Sequence, residues 1–161
     1  MNDIDILKKI EKKVLWLACW MIHNANHIRE NQDGLKVGGH QASSASIVSI
    51  MTALYFNILR PEDRVAVKPH ASPVFHAIQY LSGLQTKEKI ENFRGFGGAQ
   101  SYPSRTKDID DVDISTGSVG LGVAMTSFIS LIQDYVARKK FYKNKPLGRM
   151  IALVGDAELD E

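Results

Sequence analysis

Met150 to Val154 reads MIALV, five apolar residues in a row, and the next two residues are Gly155 and Asp156. A run of that length with no polar alternation fits a strand buried on both faces, as in the interior of a parallel sheet. Ligands of open α/β sheets sit off the carboxyl ends of the strands. A carboxylate directly after such a run therefore stands where chemistry is expected. A second run, Arg64 to Lys68 (RVAVK), is β-branched, and His70 follows it closely. The segments between and around these runs read as helices. Strands separated by helices argue for an α/β fold with a parallel sheet. The expected arrangement is three-layered: a partial parallel sheet with helices on both faces.

The longest helical pattern runs from about Ile4 to Arg29. Ile6, Ile10, Val14, Leu17, Ala18, Met21, Ala25 and Ile28 recur at three- and four-residue steps, with lysines opposite. The polar stretch Glu30 to Ser44 ends it. Ser46 to Leu59 reads as a second, largely buried helix, closed ahead of Pro61. Ser72 to Leu81 reads as a helix with Ser72 as N-cap and Pro73 at its first position. Thr86 caps a short helix to Phe93. Arg94 to Asp113 is a long loop of the kind that is functional or mobile in compact domains. Gly117, Gly120 and Gly122 then open a helix from about Val119 to Lys140.

The chain has 161 residues, 44% hydrophobic and 24% charged, which suits one soluble domain with a real core. Twenty basic against eighteen acidic residues leave a net charge of +2, too little to argue for nucleic acid or a membrane surface. No apolar run approaches the roughly 18 residues of a bilayer span. No signal-peptide pattern opens the chain. Cys19 is the one cysteine; it reads as a small core residue of a protein in a reducing cytoplasm.

Several residues can carry chemistry. Asp156 can hold a hard cation such as Mg²⁺; equally, it can cap a helix, with Glu158, Asp160 and Glu161 complementing the dipole. The Gly117–Gly122 loop (GSVGLG) suits close approach of backbone to an anion, and tight helix–sheet packing explains it equally well. His40 follows Gly38-Gly39 and His70 follows Pro69, both at junctions where proton transfer near neutral pH is available. His76 reads as a packing residue. His23 and His27 share a helix face but lack the glutamate of the HExxH zinc motif.

Five stretches, in this order, resemble the transketolase superfamily of thiamine-diphosphate enzymes, in its N-terminal part. They are GGHQAS (Gly38–Ser43), PHASPVFHA (Pro69–Ala77), FRGFGGAQSYPS (Phe93–Ser104), STGSVGLG (Ser115–Gly122) and LVGDAELDE (Leu153–Glu161). The likeness is greatest to the homodimeric type of pyruvate dehydrogenase decarboxylating component and its transketolase-like relatives, and covers the chain from about residue 14 onward.

The resemblance implies a cofactor, thiamine diphosphate, and a metal, Mg²⁺, held by Asp156, the Asp of the family's GDG. The third position of that motif is Ala157 here. Glu161 matches a glutamate of a carboxylate contact between two active sites of a dimer. Gly117 and Val119 match the loop at the aminopyrimidine. His70 matches a histidine near the diphosphate, with Pro69 replacing the usual glycine, and His40 matches a substrate-side histidine. Tyr102 stands in SYP, as in pyruvate dehydrogenase relatives, where transketolases carry GHP; this favours 2-oxo acids over sugar phosphates. His40, His70 and Tyr102 are the expected catalytic residues, and His70, Gly117, Val119, Asp156, Ala157 and Glu161 the expected cofactor contacts. The implied activity is cleavage of a carbon–carbon bond next to a carbonyl, in an oxidoreductase or transferase. The implied assembly is a homodimer or a pair of complementing chains.

The organisation expected is one domain over residues 1–161, incomplete at its C-terminal side, with a leading helix (1–30) and an active-site loop (94–113). The family's metal shell is completed by a later asparagine segment beyond the matched stretch. The isolated chain is therefore expected to bind the cofactor weakly or not at all. The competing expectation is a non-catalytic remnant or assembly module.

Overall fold

The computed structural model describes residues 3–30, 34–141 and 146–160. Helix α1 spans Asp3–His23, with Asp3 and Asp5 in its first turn, where carboxylates favour the helix dipole. Its buried residues, Val14, Leu17, Ala18, Met21 and Ile22, follow the expected helical stripe. The stripe continues through a π-helical turn, Asn24–Ile28, closed by Arg29 N–H donating to Asn24 O at 2.8 Å. Cys19 lies half-buried instead of in the core, because it sits at the margin of that stripe.

Helix α2 spans Gln41–Ala53 and runs into a second π turn, Leu54–Ile58. It starts five residues before the expected Ser46. The polar residues Gln41, Ser43 and Ser44 form its first turn, so the break after α1 ends at His40, the residue that caps it. Strand β1 (Arg64–Ala66) leads to a 3₁₀ turn (Pro69–Ala71) and then to α3 (Ser72–Leu81). Ser72 is not the cap of α3. It is the first helical residue, and its hydroxyl donates to Ser101 O, tying the later loop to this helix. Helix α4 (Lys87–Glu91) is capped as expected, Thr86 Oγ1 accepting from Lys89 N–H at 3.3 Å. Helix α5 spans Leu121–Arg138 and β2 spans Met150–Ala152.

The sheet is parallel, with Arg64 opposite Met150, Val65 opposite Ile151 and Ala66 opposite Ala152. Among the described residues it has two strands, so the α/β class stands, and the full three-layer arrangement goes further than two strands reach. Val65 and Val67 join the core formed with α1, α2 and α3, while Ala66, pointing the other way, meets α5 at Gly122. Strand β2 is half-buried throughout instead of buried on both faces. It pairs on one side only, and the helix beside it, α5, has Thr126 as its one buried residue. Among the described residues, no helix is long and apolar enough to cross a membrane.

The long loop is knitted down by its acids. Asp108 accepts from Gln100 N–H at 3.0 Å and Ser104 N–H at 2.8 Å, and Asp113 accepts from Val65 N–H at 2.9 Å. Asp110 pairs with His76 at 2.8 Å, both side chains fully buried, and also accepts from Gln85. His76 is thus more than a packing residue: it is the buried anchor of the loop.

Candidate functional site

The parallel register carries two chain segments off the same end of the sheet. Leu153 N–H donates to Ala66 O at 2.9 Å, extending the pairing past the strands proper. Lys68–His70 and Gly155–Asp156 therefore leave side by side. Gly155 packs directly on Lys68: a Cβ at Gly155 would lie 2.7 Å from Lys68 Nζ.

His40 reaches this end from α2. Asn26 in the first π turn brackets Gly38, accepting from its N–H at 2.9 Å and donating to its carbonyl at 3.1 Å. Gly38 and Gly39 have φ of 82° and 134°, and a Cβ on Gly39 would lie 2.8 Å from Ile22 Cγ2. Glycine is required at Gly39 by both conformation and space, and the tight pass delivers His40 to the N-terminus of α2.

The rings of His40 and His70 lie 4.1 Å apart by centroid, and those of His70 and Tyr102 6.2 Å apart. Gly117 lies against the same tyrosine: an added Cβ would meet Tyr102 Cδ2 at 3.7 Å. The structure thus brings His40, His70, Tyr102 and Gly117 together. Val119 sits one step further along. It lines an open cleft of about 500 Å³ with Ser118, Gly120, Glu158 and Leu159, between the start of α5 and the last turn.

Asp156 and Ala157 are exposed on that turn, a 3₁₀ helix over Asp156–Leu159. The alternative role of Asp156 as helix cap does not hold: Gly155 occupies the cap position, and Glu158 accepts from its N–H at 3.0 Å. The carboxylate of Asp156 stays exposed beyond the strand end. Glu158 is buried, and its Oε1 has no hydrogen-bond partner among the described residues. Glu161 lies outside the described residues.

The electrostatics are one-sided. Burial and the positive charge of His70, Arg94 and Lys68, in that order, hold His40 below its usual 6.5. Arg94 adopts φ of 61°, donates to Val37 O at 2.8 Å and has a buried Nε with no partner. No carboxylate among the described residues forms an ion pair with Lys68 or Arg94. Four basic side chains thus lie at or beside a strand end that also presents the exposed carboxylate of Asp156. That donor set fits an anion accompanied by a metal ion. Reading the motifs singled out neither Lys68 nor Arg94. A lysine directly after a β-branched run, two residues before His70, is a legible signal. The left-handed turn that aims Arg94 is not.

His76, Asp108 and Asp110 also have donor atoms within 4.8 Å of one another. Their atoms are already engaged: His76 Nδ1 with Asp110, His76 Nε2 with Gln100 O at 2.9 Å, and Asp108 with two backbone amides. This group is the loop's hydrogen-bond anchor. His23 and His27 stay exposed with their rings 5.0 Å apart.

A parallel α/β unit with acid–base side chains and a carboxylate off one strand end has the arrangement in which open α/β sheets bind ligands. No family model matches the chain. It is 27% identical over 171 residues to the pyruvate dehydrogenase E1 component of Mycolicibacterium smegmatis. It is 30% identical to that of Pseudomonas aeruginosa and 26% to that of Escherichia coli. Each match covers 99% of this chain and 18% of the relative. The superfamily resemblance read from the motifs is borne out, and it extends over nearly the whole chain. The chain is similar to a segment of the pyruvate dehydrogenase E1 component, a thiamine-diphosphate enzyme of the transketolase-like superfamily.

Proposed function

We propose that this chain supplies the metal–diphosphate side and the substrate-side histidines of a thiamine-diphosphate-dependent enzyme acting on a 2-oxo acid. The observation that carries the reading is the convergence of His40, His70 and Tyr102 at the strand end that also presents Asp156. When bound, thiamine diphosphate supplies the electron sink for breaking a carbon–carbon bond next to a carbonyl. Asp156 would hold the Mg²⁺ through its carboxylate, and the ion would offset the charge of the diphosphate. Gly117 offers bare backbone, and Val119 forms part of the cleft wall. Ala157 and Glu161 are assigned with them to the cofactor side.

His40, whose proton affinity is lowered by burial and then by its cationic surroundings, can accept or deliver a proton at a substrate oxygen. His70, whose ring neighbours those of both His40 and Tyr102, can relay that proton or hold the oxygen in place. The Tyr102 hydroxyl can donate to a carbonyl or carboxylate oxygen. The loop over residues 94–113 acts as the wall that carries Tyr102. The chain spans about 18% of the relatives' length, so the substrate, a cytoplasmic location and assembly into a homodimer or with a complementing chain remain part of this proposal. A sugar phosphate is the second substrate class, disfavoured by Tyr102. A non-catalytic assembly module is the other reading; the broadly exposed apolar face of α5 favours it.

The test is titration of the chain with Mg²⁺ and thiamine diphosphate, followed by the nuclear magnetic resonance signals of Gly117 and the His70 ring. Weak, millimolar-range shifts that need Mg²⁺ and vanish in Asp156→Ala are expected. Shifts independent of both Mg²⁺ and Asp156 would overturn the reading. Decarboxylation of pyruvate that depends on His40 and His70 when the other parts of the site are supplied would exclude the assembly module.

A further inference from the structure

We propose that Lys68 is a diphosphate-binding residue that joins the histidine side of the site to the Asp156 side. The inference rests on the cofactor reading above and adds a residue to it. Lys68 is half-buried at the end of β1, with its ammonium packed on Gly155, the residue before Asp156. It forms no ion pair with a described residue. Its charge is also felt at His40, on the other side of the site.

A lysine held half out of water without an ion pair to a described residue is costly to keep. A flexible lysine on an open strand end would ordinarily turn outward to solvent. This one is backed by the strand end and has company. Arg94 and the two histidine rings gather on the same side without a carboxylate partner, which concentrates positive potential at one place. The anion that fits lies beside Gly155, whose own amide is taken by Glu158, within reach of an ammonium on one side and of a metal on Asp156 on the other. A diphosphate has that span and charge. A monovalent carboxylate would satisfy one of the two ends. Lys68 then acts as a point charge on the phosphate oxygens, and the missing side chain of Gly155 is what leaves room for its ammonium.

The full chain is titrated with metal-free inorganic pyrophosphate, read by the ring signals of His40 and His70. Lys68→Met is expected to weaken binding roughly tenfold, the loss of one charge-assisted contact, and Lys68→Arg to restore most of it. Gly155→Ala keeps the charge, and its backbone φ of −85° accepts alanine. The added methyl displaces the ammonium, so this variant is also expected to weaken binding. Its intact fold is checked by its melting curve. Asp156→Ala is expected to leave metal-free pyrophosphate binding unchanged or slightly tighter.

Equal affinity for pyrophosphate in the parent and Lys68→Met overturns the proposal. So does a Lys68-dependent response to sodium pyruvate in place of pyrophosphate, which would move the subsite to a substrate carboxylate. The two readings fail separately. If Mg²⁺–thiamine diphosphate binding needs Asp156 but ignores Lys68, the lysine assignment falls alone. If pyrophosphate binding needs Lys68 but Asp156→Ala leaves Mg²⁺–thiamine diphosphate binding unchanged, the cofactor reading falls and the anion subsite stands.

Discussion

His40 is governed first by its burial and then by its charged neighbours. Its folded value is lowered by burial and then by three nearby basic groups. The sign follows directly. Above pH 6.5 the group is neutral in both the folded and unfolded chains and contributes nothing. As pH falls below 6.5 the unfolded chain takes the proton first, and stability drops until the folded group is protonated too. Lys68→Met should raise the His40 midpoint towards 6.5, read by histidine proton shifts against pH. A midpoint that falls or stays put would contradict the placement of Lys68 beside it. Asp63 has the opposite sense. Hydrogen bonds from the Arg149 side chain hold its carboxyl well below the usual range, and backbone amides of Arg149 and Arg60 add to this. Its contribution is present above the ordinary value of 3.8 and is lost as pH falls from there towards the folded value. Asp63→Asn should therefore flatten the acid limb of the stability curve. An acid limb as steep as the parent's would count against the pair.

Two elements hold the site in place from behind. The Gly38-Gly39 pass sets His40 at the start of α2, and a side chain at Gly39 meets both a left-handed φ and the body of Ile22. Gly39→Ala should cost about 2 kcal/mol or more in urea unfolding and shift the His40 signal. A variant as stable as the parent would show that the pass is looser than described. The long loop depends on the buried His76–Asp110 pair. Both ring nitrogens face oxygen acceptors, Nε2 the Gln100 carbonyl and Nδ1 the Asp110 carboxylate, so each contact holds a proton between its two atoms. Asp110→Ala leaves His76 Nδ1 and the Gln85 amide without their partner in a dry interior. The expected cost is about 3 kcal/mol, accompanied by displacement of Tyr102, which the loop carries. A loss under about 1 kcal/mol would mean that the pair does not anchor the loop.

Taken whole, the molecule has one well-filled core and one bare flank. The core lies among α1, α2, α3 and β1, with Val14, Met21, Met51, Val74, Phe75 and Phe93 nearly or wholly buried. On the flank, Leu121, Met125, Phe128, Leu131, Ile132 and Tyr135 of α5 are all substantially exposed. Exposed apolar area of this kind binds hydrophobic dyes and promotes association. The chain should enhance 8-anilinonaphthalene-1-sulfonate fluorescence, and Phe128→Glu should reduce the signal without lowering stability by more than about 0.5 kcal/mol. Unchanged dye binding in that variant would place the exposed surface elsewhere.

The amino-acid pattern by itself determined the α/β class, a parallel sheet built from the RVAVK and MIALV runs, the α1 stripe, the Thr86 cap and the superfamily resemblance. Each of these depends on short-range physics: a periodicity, a cap, an apolar run, or a motif whose residues are close along the chain. His40, His70 and Tyr102 were legible one at a time for the same reason. Their meeting in one cleft was implied by the resemblance, whereas its geometry depends on how α2, the turn after β1 and the long loop pack. The early start of α2 was hidden because its first turn is polar, and polar residues mark a helix end as readily as a loop. The half-burial of β2 was hidden because five apolar residues look alike with one strand neighbour or two. The anchoring of the long loop was not legible either: tertiary structure turns Asp110 and Asp113 onto His76, Gln85 and Val65, far along the chain. Lys68 and Arg94 became visible as one charge cluster only when the parallel register put Lys68 against Gly155 and a left-handed turn brought Arg94 beside His40. Electrostatics acts through space, and the order of residues fixes distances only between near neighbours.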